Sequence, residues 1–147
     1  MKTLEGGYSN VLTYAIDANE EEYLYVKKSN ISGAGNGLFT AITIYKDEVI
    51  CLFKGEQLSH EESLKRMLAG EDRYFINMVE GGVMDSMHVN CFAKYANDVV
   101  GSRFKTNAKI SLDEYDNVCL VATRKISKGE EIFCSYGKRY WKGKSER

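Results

Sequence analysis

The chain has 147 residues, 44% of them hydrophobic, and a formal net charge of −1 at pH 7. That length fits one domain with a core of its own, and the balanced charge excludes a global field directed at nucleic acid or an anionic membrane. The opening residues, MKTLEGGYSN, lack the apolar core of a signal peptide and no apolar run reaches membrane length, so the expected protein is soluble and intracellular, nuclear or cytoplasmic.

Charge is uneven along the chain. Residues 17–22 carry four acids and no base, and residues 138–147 carry five bases and one acid. The basic tail reads first as a solvated segment; docking to nucleic acid or nucleosomes is the lesser reading, and no direct nucleic-acid binding is strongly implied. Four cysteines, Cys51, Cys91, Cys119 and Cys134, stand far apart in apolar runs. Without a Cys-x-x-Cys or a His pair they argue against a metal site and for reduced, buried thiols.

Residues 1–22 are a mixed flank in which 11–16 form a short strand or a turn of helix. Residues 22–28 alternate as a strand, with Tyr23, Tyr25 and Lys27 on one face. Residues 29–37 hold three glycines and form a loop whose backbone can approach another group closely. Residues 38–44 read as strand, so the loop lacks the strand–GxGxxG–helix context of a dinucleotide site. A second strand is predicted over 48–53. Ser59 and Glu62 make a capping box, and Leu64, Met67 and Leu68 give the helix it opens a one-sided apolar stripe, stopped by Gly70. His60, in the first turn, faces solvent.

Residues 73–79 form a strand with Tyr74, Ile76 and Met78 on one face. Gly81-Gly82 turns the chain into a return strand at 83–85. His88 is a lone histidine with no catalytic role. Residues 107–112 and 117–123 form a hairpin around an acidic turn at 113–116. Residues 128–137, KGEEIFCSYG, begin with a turn at Lys128-Gly129 and continue as a short strand that Gly137 closes. Alternation places Ile132, Cys134 and Tyr136 on one face, with the phenol beside a small side chain at the strand's C-terminal end. Taken alone, that is a core tyrosine on an edge strand.

A second stretch changes the reading. Residues 90–98 are NCFAKYAND, and the pairing of AKYAND with GEEIFCSYG resembles the two signature motifs of the SET-domain protein lysine methyltransferases. In that family an Arg-Phe-Ile-Asn-His segment threads beneath a GEEL-x-x-x-Tyr segment and forms a pseudo-knot over the active site. Gly35-Asn36-Gly37-Leu38-Phe39 is similar to the family's N-terminal Gly-x-Gly, and residues 121–126, VATRKI, to the strand before the final motif. The resemblance covers residues 23–137, with 1–22 and 138–147 as flanks. It implies a mainly β fold with a few short helices, built of short curved sheets around a C-terminal pseudo-knot.

The resemblance also implies an S-adenosyl-L-methionine-dependent protein lysine N-methyltransferase, with a protein or peptide substrate and a histone tail first among them. Tyr136 is then the catalytic tyrosine that orients the amine. Tyr74 joins it as a wall of the lysine channel, with Cys134 beside it. Gly35, Asn36 and Gly37 cradle the methionine part of the cofactor, the Asn97 amide bonds to it, Tyr95 lines it, the backbone of Asp98 reads the adenine edge, and Trp141 or Tyr140 stacks on the adenine. The small Cys134 would leave room for di- or trimethylation. The chain departs from the family at Lys94, where Arg is usual, and at Asp98, where His is common. Residues 99–107 also lack the usual Cys-x-Pro-Asn, and neither flank is cysteine-rich. Compact members without zinc flanks resemble viral and bacterial forms, whose targets include non-histone proteins. The rival readings are an inactive SET-like module that binds a peptide or partner, and a nucleic-acid-binding domain using the basic tail; a homodimer is compatible with the first two.

Overall fold

The computed structural model describes residues 13–78 and 81–135. Three small sheets carry the fold. The largest has the order β1 (Tyr14–Ala15), β4 (Glu48–Leu52), β9 (Val118–Ala122), β8 (Ala108–Leu112). The second runs β10 (Glu131–Ile132), β3 (Asn36–Thr40), β2 (Leu24–Lys28), and the third β5 (Glu56–Leu58), β7 (Val83–Asp85), β6 (Phe75–Asn77). The helices are α1 (Glu20–Tyr23), α2 (His60–Leu68) and a short 3-10 turn at Ala93–Tyr95. This is the mainly β architecture of short sheets that the sequence leads one to expect. Among the described residues no helix is long and apolar enough to cross a membrane.

The core lies between the two larger sheets. Leu38, Ile44, Ile50, Leu120, Ile126 and Ile132 are fully buried. β9 is buried along its whole length because it pairs on both sides, with β4 and β8. Part of the N-terminal flank is built into this frame. β1 pairs in parallel with β4, and Glu20 Oε2 accepts a hydrogen bond from the Leu52 amide at 2.9 Å.

Local signals place most turns correctly. Asp113 Oδ1 accepts from the amides of Tyr115 and Asn117, and Asp116 adopts a φ of 65°, which closes the β8–β9 hairpin. Ser59 Oγ accepts from the Glu62 amide at 3.0 Å and caps α2, and Gly70, at φ 75°, ends it.

Several expectations are corrected. The strand expected from residue 22 starts at Leu24, because Glu20–Tyr23 forms one helical turn. Tyr23 therefore does not share a strand face with Tyr25 and Lys27. It turns into the core, its hydroxyl donates to the Ile50 carbonyl at 2.7 Å, and burial pushes its phenol pKa up. The strand expected at 38–44 is shifted to Asn36–Thr40, where Thr40 Oγ1 donates to the Ile42 carbonyl and turns the chain. The capping box is only half closed, since the Glu62 carboxylate is taken by Arg66 Nε at 2.9 Å.

The apolar stripe of α2 is the largest departure. Leu64, Met67 and Leu68 are 45%, 41% and 82% exposed, so this stripe does not dock the helix. Arg66 does that instead: its guanidinium donates to Glu56 Oε1 at 2.9 Å, Glu62 Oε2 at 2.9 Å and Asp85 Oδ2 at 2.7 Å. Asp85 is fully buried, and burying a carboxylate is costly unless donors satisfy it, which Arg66 does here. The hydrogen bond from Arg66 holds the Glu56 carboxyl below the usual carboxylate range.

The C-terminal segment completes the fold by threading. After β10, Phe133 bridges Asn97 and Cys134 bridges Ala108, both in parallel. The Cys134 amide donates to the Asn97 carbonyl at 3.0 Å, and the Asn107 and Ala108 amides donate to the Phe133 carbonyl at 3.0 and 3.1 Å. Residues 131–134 thus pass between two stretches of one loop, which is the expected pseudo-knot. The buried Asn107 side chain clamps it further: Nδ2 donates to the Glu131 carbonyl at 2.9 Å and Oδ1 accepts from the Phe133 amide at 2.8 Å.

Asn107→Ala removes both side-chain bonds and leaves a buried N–H and C=O without partners. The expected loss of stability is about 2–4 kcal/mol. Urea unfolding followed by circular dichroism checks it, and a change no larger than scatter would show the clamp to be dispensable.

Candidate functional site

The glycine loop joins β2 to β3. Gly35 has a φ of 73°, a conformation that favours glycine, and a Cβ added there meets no atom within 4 Å. Asn36 is exposed beside it, so the turn lies at the surface. Gly37 serves another purpose: it is buried, and a Cβ there would run into the Glu131 carboxylate.

The AKYAND segment reaches this loop through one side chain. Asn97 Nδ2 donates to the Asn36 carbonyl at 3.0 Å, joining two residues 61 positions apart. A carboxamide nitrogen carries two protons, so a second donor remains on the same atom. Asp98 Oδ1 accepts from the Val100 amide at 3.2 Å, a bond within its own loop.

Lys94 organises the other side of the segment. Its Nζ donates to the carbonyls of Ser86, Met87 and Val89 at 3.0, 3.2 and 3.1 Å. All three ammonium protons are used. The same charge lies 5.4 Å from the Tyr74 ring centre and 5.6 Å from that of Tyr95, within cation–π range of both. A compact ammonium suits three carbonyls converging on one point, where a planar guanidinium would not. Tyr74 and Tyr95 are thereby brought to either side of one cation.

A half-open cavity of about 470 Å³ adjoins these residues, lined by Glu21, Val26, Lys54, Asn90, Cys91, Phe92, Lys94 and Tyr95. Of the residues expected to hold the cofactor, Tyr95 lines it; Gly35, Asn36, Gly37, Asn97 and Asp98 do not.

Cys134 has no exposed area and belongs to the main core cluster. A threaded segment is covered on both sides: Ile132, Phe133 and Cys134 are all buried, and Phe133 stacks on Phe104 at 5.1 Å. Strand alternation therefore does not give Cys134 an open face, and a larger residue there would overpack the core. The other thiols are buried too; burial pushes Cys119 up to about 12 and Cys51 well above its ordinary value, so both stay protonated at neutral pH. Among the described residues no group of three or more His, Cys, Asp or Glu is placed to hold a metal ion. Tyr136, Tyr140 and Trp141 lie outside the described residues.

Sequence reasoning did not find Glu131, Ser29 or Asn107, the buried polar groups that tie the loop and the final strand together. The second Glu of GEE, set among buried apolar residues, was the available signal.

Residues 35–137 match the SET domain, and the chain belongs to that family. Among curated proteins it is similar to the histone-lysine N-methyltransferase mes-2 of Caenorhabditis elegans, with 40% identity over 68 residues, covering 44% of this chain and 9% of that protein. It is also similar to the histone-lysine N-methyltransferase EZH2 of Chaetomium thermophilum, with 24% identity over 152 aligned positions, covering 92% of this chain and 10% of that protein. The chain thus spans about a tenth of the length of these relatives. Among solved structures, ctPRC2 in an autoinhibited conformation bound to S-adenosylmethionine superposes with a TM-score of 0.67 and 25% identity, covering 85% of this chain and 17% of that one. A humanized mutant of the Chaetomium thermophilum Polycomb Repressive Complex 2 bound to an inhibitor shares the fold, with a TM-score of 0.68 and 24% identity over 80% of this chain and 15% of that one.

Lys94→Met keeps much of the side-chain volume and leaves three carbonyls without their donor. The expected cost is about 1.5–3 kcal/mol, the range for hydrogen bonds to a charged group. Thermal unfolding reads the loss, and a parental melting temperature would show that water replaces the ammonium.

Proposed function

We propose that the chain is an S-adenosylmethionine-dependent protein lysine N-methyltransferase acting on a histone tail in the nucleus. The observation that carries the reading is the Asn97–Asn36 contact, which sets the SET family's two cofactor motifs side by side. The residues present fit the cofactor: Gly35 and Asn36 are exposed, a Cβ at Gly35 would meet no atom within 4 Å, and the Asn97 amide keeps a second N–H for the methionine portion. The relatives named as histone-lysine N-methyltransferases, and the related complex solved with S-adenosylmethionine, support the same assignment.

When bound, S-adenosylmethionine supplies an electrophilic methyl on a sulfonium. The chain's part is to orient the substrate amine and exclude water, which accounts for much of the rate in a direct displacement. In this reading Gly35, Asn36 and Asn97 hold the methionine end, Tyr95 lines the cofactor and the Asp98 backbone meets the adenine. Tyr74 walls the lysine channel from beside Lys94. Tyr136 orients the amine through its hydroxyl, a role that follows from the family motif, and Trp141 or Tyr140 of the C-terminal flank stacks on the adenine. The catalytic unit spans residues 23–137.

Incubation with labelled S-adenosylmethionine, a histone panel and cell extract tests the activity and the substrate together. A labelled histone band is expected, and label only on other proteins would move the substrate class. Asn97→Ala should weaken cofactor binding by about 1–3 kcal/mol in calorimetry. Tyr136→Phe should keep cofactor affinity and lower turnover by roughly tenfold to a thousandfold, as expected for one lost transition-state contact. A folded protein that binds no cofactor at millimolar concentration, with or without peptide, would end the enzyme reading.

A further inference from the structure

We propose that Glu131 is a positioning residue that holds the glycine loop in the shape that receives the cofactor, an inference that rests on the methyltransferase reading above. Glu131 is 3% exposed, lies in β10 and pairs with Phe39 of β3. Its carboxylate reaches across Gly37 to the start of the loop. Oε2 accepts from Ser29 Oγ at 2.7 Å, and Oε1 accepts from the Asn30 amide at 2.7 Å. Ser29, itself buried, passes the constraint on: its Oγ accepts from the Ile31 amide at 3.0 Å, and its amide donates to the Gly35 carbonyl at 2.8 Å.

The direction of these bonds separates loop positioning from sheet stability. β2, β3 and β10 are already registered by their ladder pairs. The bonds of the Glu131 carboxylate go to the loop at Ser29 and Asn30. Two short hydrogen bonds to one carboxylate, each 2.7 Å, fix the loop's entry. The missing Cβ of Gly37 makes the space in which the carboxylate lies. Asn97 holds the far end at the Asn36 carbonyl. Gly35 and Asn36, the exposed backbone of the proposed cofactor cradle, are therefore suspended between two anchors, one from each signature motif.

The test uses Glu131→Gln, which keeps shape and loses one acceptor, and Ser29→Ala, which removes the relay without changing a residue of β10. For Glu131→Gln the KM for S-adenosylmethionine should rise roughly tenfold while kcat at saturating cofactor falls by less than about threefold. Ser29→Ala should act in the same direction, and the double variant should be no worse than Glu131→Gln, because both interrupt one chain of bonds. Amide hydrogen exchange should accelerate at residues 30–35 while the β2–β3 ladder stays protected. A lowered melting temperature with unchanged KM and unchanged loop exchange would reduce Glu131 to a fold residue and overturn the inference. If Glu131→Gln does not fold, Ser29→Ala decides by the same readings. A parent that binds no cofactor overturns the proposed function and this inference with it; a parent that binds, with variants of equal affinity, overturns this inference alone.

Discussion

The hydrogen bonds that hold residues 131–134 between the backbones of Asn97 and Ala108 are the constraint on which the rest of the structure depends. β10 contributes only two residues to its sheet, too few to be stable by themselves. Its position comes from the crossing, where Asn97, Asn107 and Ala108 all bond to the same short stretch. The crossing also joins the two larger sheets, since β10 pairs with β3 while Ala108 begins β8. Contacts so distant in sequence cost loop-closure entropy before they give anything back, and the buried Asn107 side chain is part of the compensation.

Polar groups inside this fold locate elements as much as they stabilise them. Asp85 in the third sheet binds Arg66 of α2, and Glu131 in the second binds the glycine loop. Among the described residues no buried side-chain nitrogen or oxygen lacks a partner. A buried carboxylate accepts few geometries, because every lone pair without a donor costs free energy. Arg66 and Asp85 thus fix where α2 sits, although the helix keeps its apolar stripe in water.

Lys94, at a position where the family usually carries Arg, gathers backbone and aromatic groups around one charge. Three carbonyls meet one ammonium, and two tyrosine rings flank it. Tyr74 and Tyr95, expected on the substrate side and the cofactor side respectively, share that cation. Asp98, at a position where the family often carries His, accepts a bond from the Val100 amide of its own loop. The contact between Asn97 and the glycine loop persists beside both changes.

The sequence by itself determined the family, the predominance of short strands, and the elements whose causes are local. The Ser59 cap, the Gly70 stop and the acidic turn at 113–116 depend on residues within a few positions of one another. The pairing of AKYAND with GEEIFCSYG was legible because both motifs survive in order, and it led to Asn97 and Asn36, which the fold brings together. Periodicity failed where burial depends on what lies opposite. It marked Leu64, Met67 and Leu68 as one face but could not say that the face meets solvent. Only the tertiary structure decided that Gly37 leaves room for Glu131, and that Glu131 meets Ser29 across 102 positions. Nothing local distinguishes a buried carboxylate from a solvated one; its partners are chosen by how the chain crosses itself, and that choice is made by packing and hydrogen-bond satisfaction over the whole domain.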